Sequence, residues 1–357
     1  MGRRRAVQHR ATVPAAVVAA LAVTALLGGC DRNAAPGGGP RVALLLPESK
    51  AARYELKDRP YFEARVKELC PRCRVTYANA GANPDRQLSQ VEAALANRAA
   101  VVVLDAVDAR AARAAAIRAE EAGVPLVAYD RLIDDPRVDW YVGFDNDAVG
   151  RLQARFLAGA VAGRPGAVVM LNGAPADPNA ADYRRGAAGE FRRLGVPVAS
   201  EVSVEGWNPS RARAEMARAL ARRGTAGISG VYVANDAMAA AAIDAFEEAG
   251  VPVPPVTGQD AELEALHRII DGRQAMTVYK PLRAEAGRAA EAAVALASGR
   301  APEGATGVVG AAGVPGVVLQ PVAVGRHDLT RVVSEDRFWS LAEVCTGRQR
   351  RCAEEGL

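Results

Sequence analysis

Ala100-Val101-Val102-Val103-Leu104-Asp105 is an unbroken apolar run that ends on a carboxylate. An alanine-rich stretch over 109–122 follows and closes at Gly123; Pro125-Leu126-Val127-Ala128-Tyr129 then leads into Asp130-Arg131. A buried strand, a helix stopped by glycine and a second buried strand make one parallel βαβ step. Upstream, the pattern predicts strands over 41–46 and 74–78 and helices over 61–69 and 87–95. Downstream, helices over 148–162, 180–194 and 211–222 lead to strands over 167–171, 198–204 and 230–234. Helices over 237–249 and 263–271 lead to strands over 255–258 and 275–279. Two successive arrays of similar size predict the α/β class, with two doubly wound parallel-sheet domains.

In such sheets ligands lie beyond the carboxyl ends of the strands. Here those ends carry Pro47-Glu48-Ser49, Asp105, Asp130-Arg131, Asn172-Gly173, Asn235-Asp236, Gln259-Asp260 and Lys280. None is a glycine-rich phosphate loop or a dinucleotide fingerprint. Neither body histidine, His267 or His327, is read as following a strand, which leaves no Ser-His-Asp set. The three histidines and the cysteines build no metal cluster, so no metal or cofactor is implied. A sugar hydroxyl both donates and accepts, and a buried sugar therefore needs carboxylates, amides and cations together. The strand ends supply that mixture. Asp236 is read as the N-cap of the helix from Ala237, Asp145 and Asn146 as hinge and capping residues, and His267 as a packed or solvated bystander.

The first thirty residues stand apart. Arg3, Arg4, Arg5 and Arg10 precede an uncharged apolar run over 11–27, which ends in Leu27-Gly28-Gly29-Cys30. Basic start, apolar stretch and small residues at a cut site predict an export signal over 1–29. The cysteine after the small pair resembles a bacterial lipobox, which implies a lipid on Cys30; an uncleaved membrane anchor is the alternative. Residues 30–40, with Gly37-Gly38-Gly39-Pro40, read as a flexible tether. The net charge of +4 includes those four leader arginines, and no basic stripe for nucleic acid remains in the body. Four further cysteines suit an oxidising compartment. Local pairing of Cys70 with Cys73 and Cys345 with Cys352 is preferred, and two other pairings stay open.

Six segments in order carry a family resemblance: 128–133 (Ala-Tyr-Asp-Arg-Leu-Ile), Phe144-Asp145-Asn146, Gly206-Trp207-Asn208-Pro209, Ala234-Asn235-Asp236, Thr257-Gly258-Gln259-Asp260 and 276–281 (Met-Thr-Val-Tyr-Lys-Pro). The chain resembles the periplasmic sugar-binding proteins of ABC importers from about Val42 to Leu329. That resemblance implies a type I Venus-flytrap fold with three hinge crossings, residues 41–143 plus 282–318 in one lobe and 144–281 plus 319–357 in the other. It implies Arg53, Asp130, Arg131, Asp177, Asn179, Trp207, Asn235, Asp260 and Lys280 as ligand-binding residues. Tyr54 stands where relatives carry tryptophan, and between Tyr54 and Lys57 the chain differs from them by one residue in length.

Independently, Arg53, Arg131 and Lys280 balance Asp130, Asp177 and Asp260, so a closed cleft strands no net charge. Trp207 and Tyr54 offer flat faces to a pyranose. Only four of the 45 basic residues are lysines (Lys50, Lys57, Lys67 and Lys280), which suggests a compact ammonium is needed at Lys280. The expected function is capture of an aldopyranose, D-xylose first, by a monomeric lipid-anchored receptor that delivers it to an ABC permease and its ATPase. A broader receptor for glucose, galactose or arabinose, or a sensor presenting sugar to a membrane signalling protein, is the alternative. A repressor would need a DNA-binding helix where the export signal stands. An enzyme would need a metal or an activated nucleophile.

Overall fold

Alternation of side chains builds the first sheet. In β1 (Arg41–Leu46), Val42, Leu44 and Leu46 pack against one layer of helices while Ala43 and Leu45 pack against the other, the period-two consequence of a strand covered on both faces. The structure is a computed structural model and describes residues 38–49, 51–332 and 337–357. The export signal predicted over 1–29, Cys30 and most of the predicted tether lie outside the described residues.

β1 continues through β2 (Arg74–Asn79), β3 (Val101–Leu104), β4 (Leu126–Tyr129) and β5 (Trp140–Phe144), in spatial order β2-β1-β3-β4-β5 and all parallel. Helix α1 (Arg59–Leu69) covers one face, and α2 (Pro84–Ala96) and α3 (Arg113–Glu121) cover the other.

The chain then leaves for a second sheet. Helix α4 (Asn146–Ala160) is followed by β6 (Ala167–Asn172), α5 (Pro178–Leu194), β7 (Val198–Ser203), α6 (Pro209–Arg223), β8 (Ile228–Val233) and α7 (Asp236–Glu248). The strands pair in the order β7-β6-β8. Parallel bridges from Val231 to Val256 and from Thr257 to Met276 carry the sheet on to β9 (Met276–Tyr279), after α8 (Leu263–Ile270). Helix α9 (Leu282–Ala297) returns to the first sheet and packs its alanine stripe beside α1. β10 (Gly307–Val309) and β11 (Val314–Leu319) complete that sheet beside β5, and β12 (Val322–Gly325) pairs with β9 in the second. A C-terminal segment with α10 (Leu341–Cys345) and α11 (Gln349–Glu354) packs on α8, β9 and β12.

Both local disulfides are formed: Cys70–Cys73, where Cys70 caps the end of α1, and Cys345–Cys352.

Several readings are corrected. The helix predicted over 109–122 starts at Arg113, because the Asp108 carboxylate accepts from the Arg110 and Ala111 amides and holds a turn there. Asn235, not Asp236, is the N-cap of α7: its Oδ1 accepts from the Met238 amide at 2.9 Å. Asp236 is buried and accepts from Gln274 and Thr277 at 2.8 Å and from the Glu262 amide at 3.1 Å. His327 does follow a strand, β12, but pairs with Glu355 at 2.9 Å. Strands β5, β10, β11 and β12 were not expected.

Candidate functional site

The strand ends of both sheets converge on one cavity of about 60 Å³. At ~10–15 Å³ per water position that is room for a handful of hydroxyls. All ten sequence-predicted residues line it: Arg53, Tyr54, Asp130 and Arg131 from the first sheet, and Asp177, Asn179, Trp207, Asn235, Asp260 and Lys280 from the second. The lining also takes in Glu48, Tyr183 and Gln259.

From the first sheet, Arg53 is held by a ring of acids. Its Nε and Nη2 donate to the two oxygens of Asp58 at 2.9 and 2.8 Å, and Nη2 also reaches Glu285 at 3.1 Å. Nη1 donates to Asp130 at 3.4 Å. The Tyr129 hydroxyl closes on Asp58. Asp130 sits at φ 56° on the turn after β4, a left-handed conformation that short acidic side chains tolerate better than most. Arg131 donates from Nη1 to the Ala106 carbonyl at 2.8 Å and from Nη2 to the Tyr54 hydroxyl at 3.3 Å. Its Nε lies 2.9 Å from Asp177 and 3.6 Å from Asp105.

From the second sheet, helix starts do the placing. Asp177 is the N-cap of α5 and accepts from the Asn179 amide at 2.9 Å. Its other oxygen accepts from Trp207 Nε1 at 3.2 Å. Asn179 donates to the Asp130 carbonyl at 3.3 Å and accepts from Asn146 at 2.8 Å. Trp207, at φ 53°, packs edge-on to Tyr183 with ring centres 6.5 Å apart. Gly173 makes room for it: a Cβ there would stand 2.1 Å from the indole. Asp260, at φ 96°, pairs with Lys280 at 2.9 Å.

Three further acids join the expected three cations and three carboxylates. Asp58, Asp105 and Glu285 are also buried around the cations. Burial pushes the Asp105 and Glu285 carboxyls well above the ordinary carboxylate range, against the pull of Arg131 and Arg53 respectively, and the nearby Asp130 charge adds to the rise. Burial thus favours the protonated form of both, and neither Asp105 oxygen has a hydrogen-bond partner. A neutral carboxyl tolerates such burial far better than an ion. For Asp130, burial is outweighed by Arg53, Lys280 and Arg131, and its carboxyl is held below the usual range.

Residues 42–301 match the periplasmic binding protein domain. The chain belongs to the periplasmic binding protein family. This binding protein is 32% identical over 313 residues to the D-xylose-binding periplasmic protein of Escherichia coli K12, covering 85% of this chain and 92% of that one. It is 30% identical over 277 residues to a multiple sugar-binding periplasmic receptor of Rhizobium radiobacter, covering 71% and 78%. A carbohydrate transporter solute-binding protein from Chloroflexus aurantiacus, solved with D-glucose, superposes with TM-score 0.78 at 29% identity, covering 85% of this chain and 97% of that one. The binding protein is thus a sugar-binding, extracytoplasmic component of ABC-type transport, in a family that binds its ligand and leaves it unchanged.

Among the described residues no helix is long and apolar enough to cross a membrane, and no group of His, Cys, Asp and Glu could hold a metal.

Sequence reading named the Gly-Gln-Asp segment but took only its acid, although Gln259 also faces the cavity. Glu285 had a signal: it shares the apolar stripe of α9 with Leu282, Ala286 and Ala289, where an acid has no reason to stand unless it meets a partner.

Proposed function

We propose that this binding protein captures one aldopyranose, D-xylose first, between two lobes formed by residues 41–143 with 282–318 and 144–281 with 319–357. The lobes close on the sugar, and the closed form is what an ABC permease and its ATPase would engage. The observation that carries this is the convergence of all ten residues on one cavity, where three cations and the carboxylates alternate. Trp207 and Tyr54 supply the flat faces, and the cations and carboxylates supply directed, charge-assisted hydrogen bonds to hydroxyls. A broader aldose receptor is the second reading, favoured by the D-glucose bound to the Chloroflexus relative. The protein acts as a monomer, tethered by lipid on Cys30.

Calorimetric titration with D-xylose, D-glucose, L-arabinose, D-galactose and D-ribose tests the ligand. D-xylose binding at micromolar affinity or tighter, about −8 kcal/mol, with glucose at least ~100-fold weaker, is the expected result. Equal affinities give the broader receptor, and no binding overturns the cavity assignment. Cys30→Ala should move the protein from the membrane fraction to the soluble one; retention on membranes favours an uncleaved anchor.

A further inference from the structure

Lys57 is one of the four lysines in this arginine-rich chain, and it does not line the sugar cavity. It sits on the turn directly after Arg53 and Tyr54, packed with the first sheet. Its Nζ donates to the Phe338 carbonyl at 2.6 Å and stands 3.9 Å from the centre of the Trp339 ring and 4.8 Å from that of Phe338. An ammonium between two aromatic faces and a carbonyl is a matched set, a cation for the rings and a donor for the oxygen.

The two aromatics belong to the C-terminal segment on the second sheet, and each touches the neighbour of a cavity residue. Trp339 Nε1 donates to the Ala261 carbonyl at 2.8 Å, directly beyond Asp260. Phe338 packs edge-on to Tyr279 at 5.2 Å, directly before Lys280. Asp260 and Ala261 are consecutive non-glycine residues at positive φ, 96° and 51°. Such a turn is strained and persists only where its surroundings hold it. Trp339 grips its far side.

We propose that Lys57 and Trp339 are positioning residues for the sugar: the Lys57–Trp339 contact ties the turn that carries Arg53 and Tyr54 to the strained turn that aims Asp260 at Lys280. This rests on the cavity reading above and adds a clasp behind it. Ordering the two turns together makes the site pre-formed, which lowers the entropy cost of binding.

The test uses the purified full chain with Lys57→Met and Trp339→Phe. Amide hydrogen exchange is followed at Asp260, Ala261 and Glu262, whose amides donate to Val278 O, Thr277 Oγ1 and Asp236 Oδ2. Both variants should speed exchange there by about tenfold, although Lys57 lies on the other sheet. Both should also weaken D-xylose binding by about tenfold through a faster off-rate, with Lys57→Arg recovering part of the loss. Unchanged exchange in both variants, or faster exchange in Trp339→Phe alone, overturns the coupling. If the wild type binds no sugar of the panel, the ligand reading fails, while the exchange experiment, which needs no sugar, still decides the clasp.

Discussion

The two sides of the cavity hold their side chains by different means. The first sheet presents Arg53, Asp130 and Arg131 inside a buried net of charges, with Asp58, Glu285 and Asp105 as backing. The second sheet presents Asp177 and Asn235 as helix N-caps, Trp207 and Asp260 on left-handed turns, and one direct ion pair, Asp260–Lys280. On one side a net of ionisable groups does most of the fixing, with a left-handed turn only at Asp130; on the other, backbone conformation does most of it. The difference teaches where each side is fragile. Removing a charge from the first side strands its partners in a dry interior. The second side is disturbed by anything that alters the shape of a turn.

The harshest break is Arg131→Ala. It leaves Asp177 without the cation it pairs with, and D-xylose affinity should fall by more than ~100-fold while the chain stays folded, with a stability loss of about 3–5 kcal/mol. Calorimetry and circular dichroism read both, and near-wild-type affinity would remove Arg131 from the site.

A milder break tests the second side by shape alone. Gly173→Ala adds a Cβ 2.1 Å from Trp207 Cη2, forcing the ring to shift without deleting any polar group. Affinity should drop about tenfold, with a stability loss of about 1–3 kcal/mol. An unchanged affinity would mean that Trp207 is not set by its turn.

The smallest effect is a pH slope from the second side. Burial, helped by the charges of Asp236 and Asp260, pushes Glu262 up to about 8 from an ordinary 4.5. The folded state thus binds this proton more tightly than the unfolded chain. Its contribution is complete below the unfolded value and lost as pH rises through about 8. Glu262→Gln should flatten the fall in melting temperature between pH 5 and 9, by roughly 2–4 °C. Parallel curves would contradict it.

The same contrast explains what could be read in advance. Strand-end residues announce themselves, because an apolar run that stops at Asp130-Arg131 or Asn235 is visible in one dimension. The backing acids are not at strand ends. Asp58 follows a turn and Glu285 lies within a helix, and only folding brings them to Arg53. β11 was hidden by Gly313, Pro315 and Gly316, which read as a loop; the strand tolerates them because it lies near the sheet edge, between β5 and the short β10. β5 was passed over because its apolar run, Trp140 to Phe144, is short and lies between acidic loop residues. Trp339 could not be connected to Asp260 at all from a separation of 79 positions.

The turn at Tyr54–Asp58 is wound more loosely than an α-helix, with the Arg59 amide donating to the Tyr54 carbonyl five residues back. An extra residue inserted into a regular helix would rotate everything beyond it by about 100°. A single wide turn absorbs that residue locally, and α1 keeps its seat against α9. The sequence resemblance puts its one-residue length difference in this same turn. Gain or loss of one codon here can therefore re-aim Arg53 and Tyr54 at the ligand without disturbing the scaffold, giving a lineage a route to a new diet that needs no substitution in the pocket.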